Sequence, residues 1–185
     1  MSFGQRLLRT ARLEADAFEE VEADPTALGQ ASLVVLAASL ASASAAGLRI
    51  ALGRPFAQDA LPTGALVTIL ALEPIVIWSV GAAFAYMVGA TFLRGPETET
   101  DYREVLRTTG FAFAPAVLFP LAALLPDPFG LGLAVLARLW ILTACVVAVR
   151  QALDFTTLRA LGTYGAAALL MWLLLWGLAV VPVPV

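Results

Sequence analysis

Five apolar stretches constrain this chain more than any other feature. They run at about residues 31–52, 63–92, 105–125, 129–149 and 160–181. A helix needs about 20 mainly apolar residues to cross a bilayer core of about 30 Å. Each stretch meets that length, so the expected fold class is all-α. It is a polytopic membrane protein: a five-transmembrane-helix bundle with an N-terminal amphipathic helix. Composition points the same way. The chain is 61% hydrophobic and only 14% charged over 185 residues, with mean hydropathy +0.88. An ordinary soluble domain is about 45–50% apolar and about 25% charged. This chain lacks the charge needed to clothe a soluble surface.

Residues 1–24 read as a cytoplasmic arm and 25–185 as the membrane domain. In the arm, Phe3, Leu7, Leu8, Ala11, Phe18 and Val21 share one helical stripe, behind Arg6, Arg9 and Arg12 and ahead of an acidic run. That pattern predicts an amphipathic helix lying on the membrane, or else one packed on the spans. Its acidic stretch and late apolar run do not fit a secretory signal. Asp24-Pro25 and Asp127-Pro128 read as helix-opening pairs, and Asp101 with Glu104 as a capping box. The second stretch is longer than a bilayer requires, so 63–72 is either spanning or interfacial. Pro74, Gly110, Pro115 and Pro120 are the expected kinks. Gly81, Ala85 and Gly89 form a small-residue stripe for close helix packing. The polar loop before the third span holds Arg94, Glu97, Glu99, Asp101, Arg103, Glu104 and Arg107. The tail, Val181 to Val185, is too proline-rich to stay helical.

Orientation follows from arginine placement. Arg6, Arg9, Arg12, Arg94, Arg103, Arg107, Arg150 and Arg159 fall on the N-terminal side of five spans, against Arg49 and Arg54 on the other. The positive-inside rule then predicts a cytoplasmic N-terminus and an external C-terminus.

Two ionisable residues lie at membrane depth, where they are costly and mark function or a buried pair. Glu73 is about ten residues into the second span and Arg138 about nine into the fourth, counted from the same side. Both are thus roughly 13–15 Å deep. An ion pair is expected, serving either as a fixed helix-register device or as a proton- or cation-binding carboxylate gated by arginine.

Absences narrow the chemistry. The chain has no His and no Lys, and Cys145 is its one cysteine. That removes imidazole catalysis, Schiff-base chemistry, the P-loop lysine and thiolate metal cages. No two carboxylates share a face at a spacing suited to acid–base work. No catalytic residue, metal site or cofactor is expected, and net charge −3 gives no reason to expect nucleic acid.

The run Leu106-Arg-Thr-Thr-Gly110-Phe-Ala-Phe-Ala-Pro115 resembles a signature of the Yip (Ypt-interacting protein) family. The run Trp140 to Val149, followed by Arg150-Gln151-Ala152-Leu153-Asp154-Phe155, is similar to the fourth-span exit of its prokaryotic members. So is the front end, from Phe18 to Gln30. The resemblance covers about residues 18–180 and implies a compact five-span domain. It implies Rab-type GTPase association in eukaryotic members. The short arm and the Arg-only, Ala/Leu-rich composition argue against a GTPase partner here and for a bacterial inner membrane. By position, Arg150, Gln151 and Asp154 make a cytoplasmic corner. It is closed either by an i, i+4 Arg150–Asp154 pair or by a docked partner.

The expected function is therefore a non-catalytic membrane scaffold or accessory subunit. Its partners are the lipid bilayer and other membrane proteins or a second copy. The alternatives are a small proton- or ion-coupled transporter using Glu73 and Arg138, and a lipid- or curvature-handling protein.

Overall fold

The computed structural model describes residues 2–54, 62–94 and 100–180, with side chains described as far as Gly177. Glu97, Glu99 and the tail at 181–185 lie outside the described residues. Five helical segments are long and apolar enough to cross a membrane. Among the described residues there is no strand.

The N-terminal arm differs from the single helix its stripe predicts. It forms α1 (Phe3–Ala11) and α2 (Ala15–Ala23). α1 opens on a capping box between Ser2 and Gln5, which satisfies two of the donors a helix start leaves open. The break between the helices is at Leu13, whose φ is +62°. A leucine in this left-handed region is uncommon and is held there by what surrounds it. Leu13 packs beside buried Ala112, Ala144 and Cys145. Beyond the break, Ala17, Phe18 and Val21 are completely buried, and Leu7 packs on the core that Val21 shares with Ala31, Val34, Val35 and Phe111. The arm's apolar face is thus covered by the spans. Among the described residues of the arm, only Phe3 and Leu8 leave large apolar surface outside.

The spans follow. α3 (Ala27–Ala51) begins after Thr26. Asp24 accepts from the Thr26 backbone N–H at 2.9 Å and from its hydroxyl at 2.6 Å, so it orders the turn ahead of the helix and does not cap it. α4 (Thr63–Met87) runs through Pro74 and continues as a π-helical turn, Val88–Phe92. Residues 63–72 therefore belong to one 30-residue apolar segment. At 1.5 Å per residue this rises about 45 Å, which demands tilt or overhang.

The third span is built in three pieces: α5 (Tyr102–Phe111), a 3-10 turn (Ala114–Leu118) and α6 (Phe119–Leu124). The Asp101/Glu104 capping box opens it. Pro115 and Pro120 withdraw two donors, and the tighter turn reassigns the bonds. The Phe119 N–H now reaches the Ala116 carbonyl that Pro120 cannot serve. Gly110 marks a close crossing. A Cβ there would lie 2.7 Å from the Ala31 Cβ and 3.1 Å from Trp78 Nε1. Tyr102 and Trp78 fasten α5 to α4, through bonds to the Ser79 and Leu106 carbonyls.

α7 (Phe129–Ala152) starts after Pro128, with no side chain capping it. The expected Asp127 cap is absent: Pro128 holds the cap position one residue further on, and Asp127 pairs with Arg49, 3.4 Å away. α8 (Thr157–Val180) closes the bundle against α4 and α7. Much of the core is alanine, which lets helices approach closely. Trp172, Trp176, Leu136 and Leu139 face outward, as lipid-facing side chains do.

Candidate functional site

Glu73 and Arg138 stand near the middle of their spans, and the cavity they line runs from there toward the end of the bundle opposite the arm. Arg138 Nη1 donates to Glu73 Oε1 at 3.0 Å, bridging α7 and α4. The arginine side chain is 55% exposed and the carboxylate 27%. The guanidinium also sits 5.3 Å above the Phe119 ring centre, a cation–π distance. Both charges open on a cavity of about 400 Å³ between α3, α4, α6 and α7. Ser42 and Arg49 line it too. A smaller cavity of about 140 Å³ continues past Pro74 and Tyr164 and shares Ser42, Glu73, Phe119 and Arg138. Nearby, Arg54 is committed to structure: its Nη1 donates to the Ala123 and Leu125 carbonyls at 3.1 and 2.6 Å. Those groups end α6 and have no partner within their helix.

The arm end is wired differently. Arg6 donates to Asp24 at 2.6 Å and to Gln30 at 3.2 Å, and the arginine is nearly buried. Arg9 lies between Glu14 and Glu20, at 2.6 and 2.7 Å. Arg107, also buried, donates to the Glu22 carbonyl and stands 3.7 Å from Glu104. Trp140 Nε1 donates to the Ala11 carbonyl at 2.8 Å. Hydrogen bonds from Thr26 and Arg6 hold the Asp24 carboxyl down from 3.8 to about 2. Burial, followed by the nearby Asp154 and Glu104 carboxylates, pushes Glu22 up from 4.5 to about 7, against the pull of Arg107.

The corner at the α7 exit departs from its expected pairing. Arg150 Nε donates to Gln151 Oε1 at 2.7 Å, and Gln151 Nε2 donates to Glu19 at 2.6 Å. Asp154 is exposed, with φ +51°. The helix ends at Ala152, so Arg150 and Asp154 do not share a helical face and the i, i+4 argument fails. Gln151 is the member of the corner that reaches the arm. The packing stripe faces α8 and the end of α7. Ala85 is buried, a Cβ on Gly81 would lie 3.9 Å from Met171, and one on Gly89 would lie 2.5 Å from Leu153.

Three contributors escape the sequence pattern. Arg49 reads as the marker of a span end, yet lines the cavity. Arg107 reads as a loop charge, yet is buried. Trp140 stands in the sequence only as the start of the run that resembles the family's fourth-span exit, yet it anchors the arm. Among the described residues no group of three or more His, Cys, Asp or Glu is placed to hold a metal ion.

The comparisons with known proteins agree with this architecture. A family model described as the Yip1 domain matches residues 11–179. No curated protein and no solved structure matches the chain. The family match takes in the second arm helix and all five spans, and on that evidence this multi-pass membrane protein belongs to the Yip1 domain family.

Proposed function

We propose that the protein is a non-catalytic membrane scaffold or accessory subunit of a larger membrane complex. We place it in a bacterial inner membrane with the arm end cytoplasmic. The observation that carries this reading is the arm end itself. The arm is fixed to α5 and α7 through Glu22, Glu19 and Ala11, and it leaves a rigid rim of exposed charge of both signs. Arg12, Asp16, Glu19, Arg103, Asp154 and Arg159 stand on that rim. Mixed charge on a fixed surface suits a protein partner, because it sets register and rejects wrong partners. The titratable groups beneath it are engaged in arm packing, which favours attachment over chemistry.

The test is purification from native membranes in mild detergent. The wild-type chain is expected to elute with a stoichiometric partner. Arg103→Glu together with Arg159→Glu, both exposed helical positions, should release that partner while leaving the thermal midpoint unchanged. A monodisperse single chain that drives proton-coupled uptake in liposomes would sink the scaffold reading. Protease cleavage of the 94–107 loop from outside right-side-out vesicles would overturn the orientation. One observation favours a second reading, a small proton- or ion-coupled transporter or a lipid-handling protein: Glu73 and Arg138 face each other on a cavity within the membrane.

A further inference from the structure

The cavity at the far end is amphipathic in a specific way. Its charged groups are Arg49, Arg138 and Glu73, two cations against one anion. Its walls are apolar: Leu70, Phe119, Ala122 and Leu131. At about 400 Å³ it falls within the usual range of small-molecule sites, about 300–1,000 Å³. The guanidinium of Arg138 has five N–H donors. Glu73 accepts from Nη1 alone, and the face of Phe119 supplies the remaining described contact. Donors at membrane depth without acceptors are costly. A second acceptor-rich anion in the cavity would meet that demand.

Three further features favour an anion over a cation. Arg138 is twice as exposed as its carboxylate, so the cationic side of the pair is the accessible one. Leu131, in the first turn of the 24-residue helix α7, lines the same cavity, and a helix N-terminus favours negative charge; the Gly130 N–H beside it already donates to the Pro126 carbonyl. Two of the carbonyl oxygens that end α6, those of Ala123 and Leu125, accept from Arg54, which lessens their repulsion of an anion. Arg49 is held at the rim by Asp127 at 3.4 Å, longer than the 2.6 Å of the Arg6–Asp24 pair. An incoming oxyanion competes with that contact. The planar fork of arginine matches phosphate oxygens in pairs.

We propose that this cavity binds the phosphate of an anionic phospholipid headgroup between Arg49 and Arg138, with an acyl chain running along Leu70 and Leu131. The membrane setting and the apolar walls select a lipid over a soluble phosphate, which shares the headgroup's chemistry but leaves those walls unfilled. Arg49 stands near the last turn of α3 and Arg138 two to three turns into α7, so the headgroup is drawn below the plane of bulk lipid. Glu73 is a counter-charge that holds Arg138 in place and weakens binding of the anion. The site is independent of the scaffold reading, which concerns the other end of the bundle.

The experiment uses the full chain in nanodiscs of phosphatidylcholine with or without phosphatidylglycerol. Lipid retention is read by native mass spectrometry, and the thermal midpoint is recorded in parallel. The wild type should retain phosphatidylglycerol over phosphatidylcholine. Arg138→Gln and Arg49→Gln should each weaken retention about tenfold, the loss of a charged hydrogen-bonding partner. Glu73→Gln should keep or increase it. A register-fixing ion pair predicts something else: Glu73→Gln and Arg138→Gln equally destabilised, with no dependence on lipid charge. That result overturns the proposal, as does equal retention of both lipids by the wild type. Inorganic phosphate is the further arm. If it raises the midpoint as much as phosphatidylglycerol, the occupant is a soluble anion and the lipid assignment falls. Should Arg138→Gln fail to fold, Arg138→Lys keeps the charge and loses the fork. Retention reduced in Arg138→Lys and in Arg49→Gln supports the site, and unchanged retention in both refutes it.

Discussion

Arginine–carboxylate pairs hold both ends of the bundle, yet the two ends are built on different terms. At the arm end, Arg6 and Arg107 are almost wholly buried, and Phe18 and Val21 pack beneath them without any exposure. The polar contacts there orient an apolar core. In the half of the bundle away from the arm, Arg138 is more than half exposed, and its partner Glu73 opens on a cavity. A charge sealed in the core, even with the Nε of Arg6 and of Arg107 left without an acceptor, has become part of the packing. One whose surroundings leave room for another molecule has not. The same residue types thus serve attachment at one end and offer a binding site at the other.

The largest expected break in this contrast is Phe18→Ala. Removing a fully buried phenylalanine costs about 3–5 kcal/mol. It should detach the arm, lower the thermal midpoint and expose the Arg12–Glu14 turn to protease. Lipid retention at the far cavity should persist. If retention falls with the arm, the two ends are not separable. Gly130→Ala makes the reciprocal test. A Cβ there would lie 2.5 Å from the Ala122 carbonyl oxygen and 2.7 Å from that of Leu125, and backbone cannot give way cheaply. Overpacking of this kind costs about 1–3 kcal/mol. It should reshape the cavity and leave the arm resistant to protease.

The smallest effect is a pH dependence confined to the arm. Glu22 holds its proton more tightly when folded, at about 7 against 4.5, so the folded state binds more protons between those values. The contribution of Glu22 to stability is therefore greatest below pH 4.5, declines as pH rises through 7 and then levels off. Glu22→Gln should flatten that decline in thermal-midpoint measurements from pH 5 to 8. An unchanged slope would mean that burial, with the Asp154 and Glu104 carboxylates nearby, does not raise Glu22.

The spans were legible because lipid imposes one rule on every residue of a long segment. Apolar runs therefore gave helix number and near-correct bounds without knowledge of any contact. The Glu73–Arg138 depth match could be counted along two helices for the same reason. What could not be read depends on several distant segments at once. Nothing local marks Leu13 as a break, because leucine is not a turn residue. Its conformation follows from packing near Ala144 and Cys145, more than 130 positions later. Arg49 joins the cavity only because α3, α4, α6 and α7 converge there. Arg150 and Asp154 misled in the opposite direction. Their spacing assumes a helix that stops at Ala152.

The arm's fastenings also bear on the order of assembly. Its bonds reach 85 residues ahead to Arg107, 129 to Trp140 and 132 to Gln151. Contacts between residues so far apart in the chain form late, because the intervening segment must be in place before its loop can close. During synthesis residues 2–24 leave the ribosome well before α7 exists to receive them. Segments made early thus reach their final seat only after the fourth span has been inserted, and until then the side of the arm that meets α7 remains uncovered. In this fold the arm acts as a completion mark: a docked arm reports that the spans beneath it have been threaded.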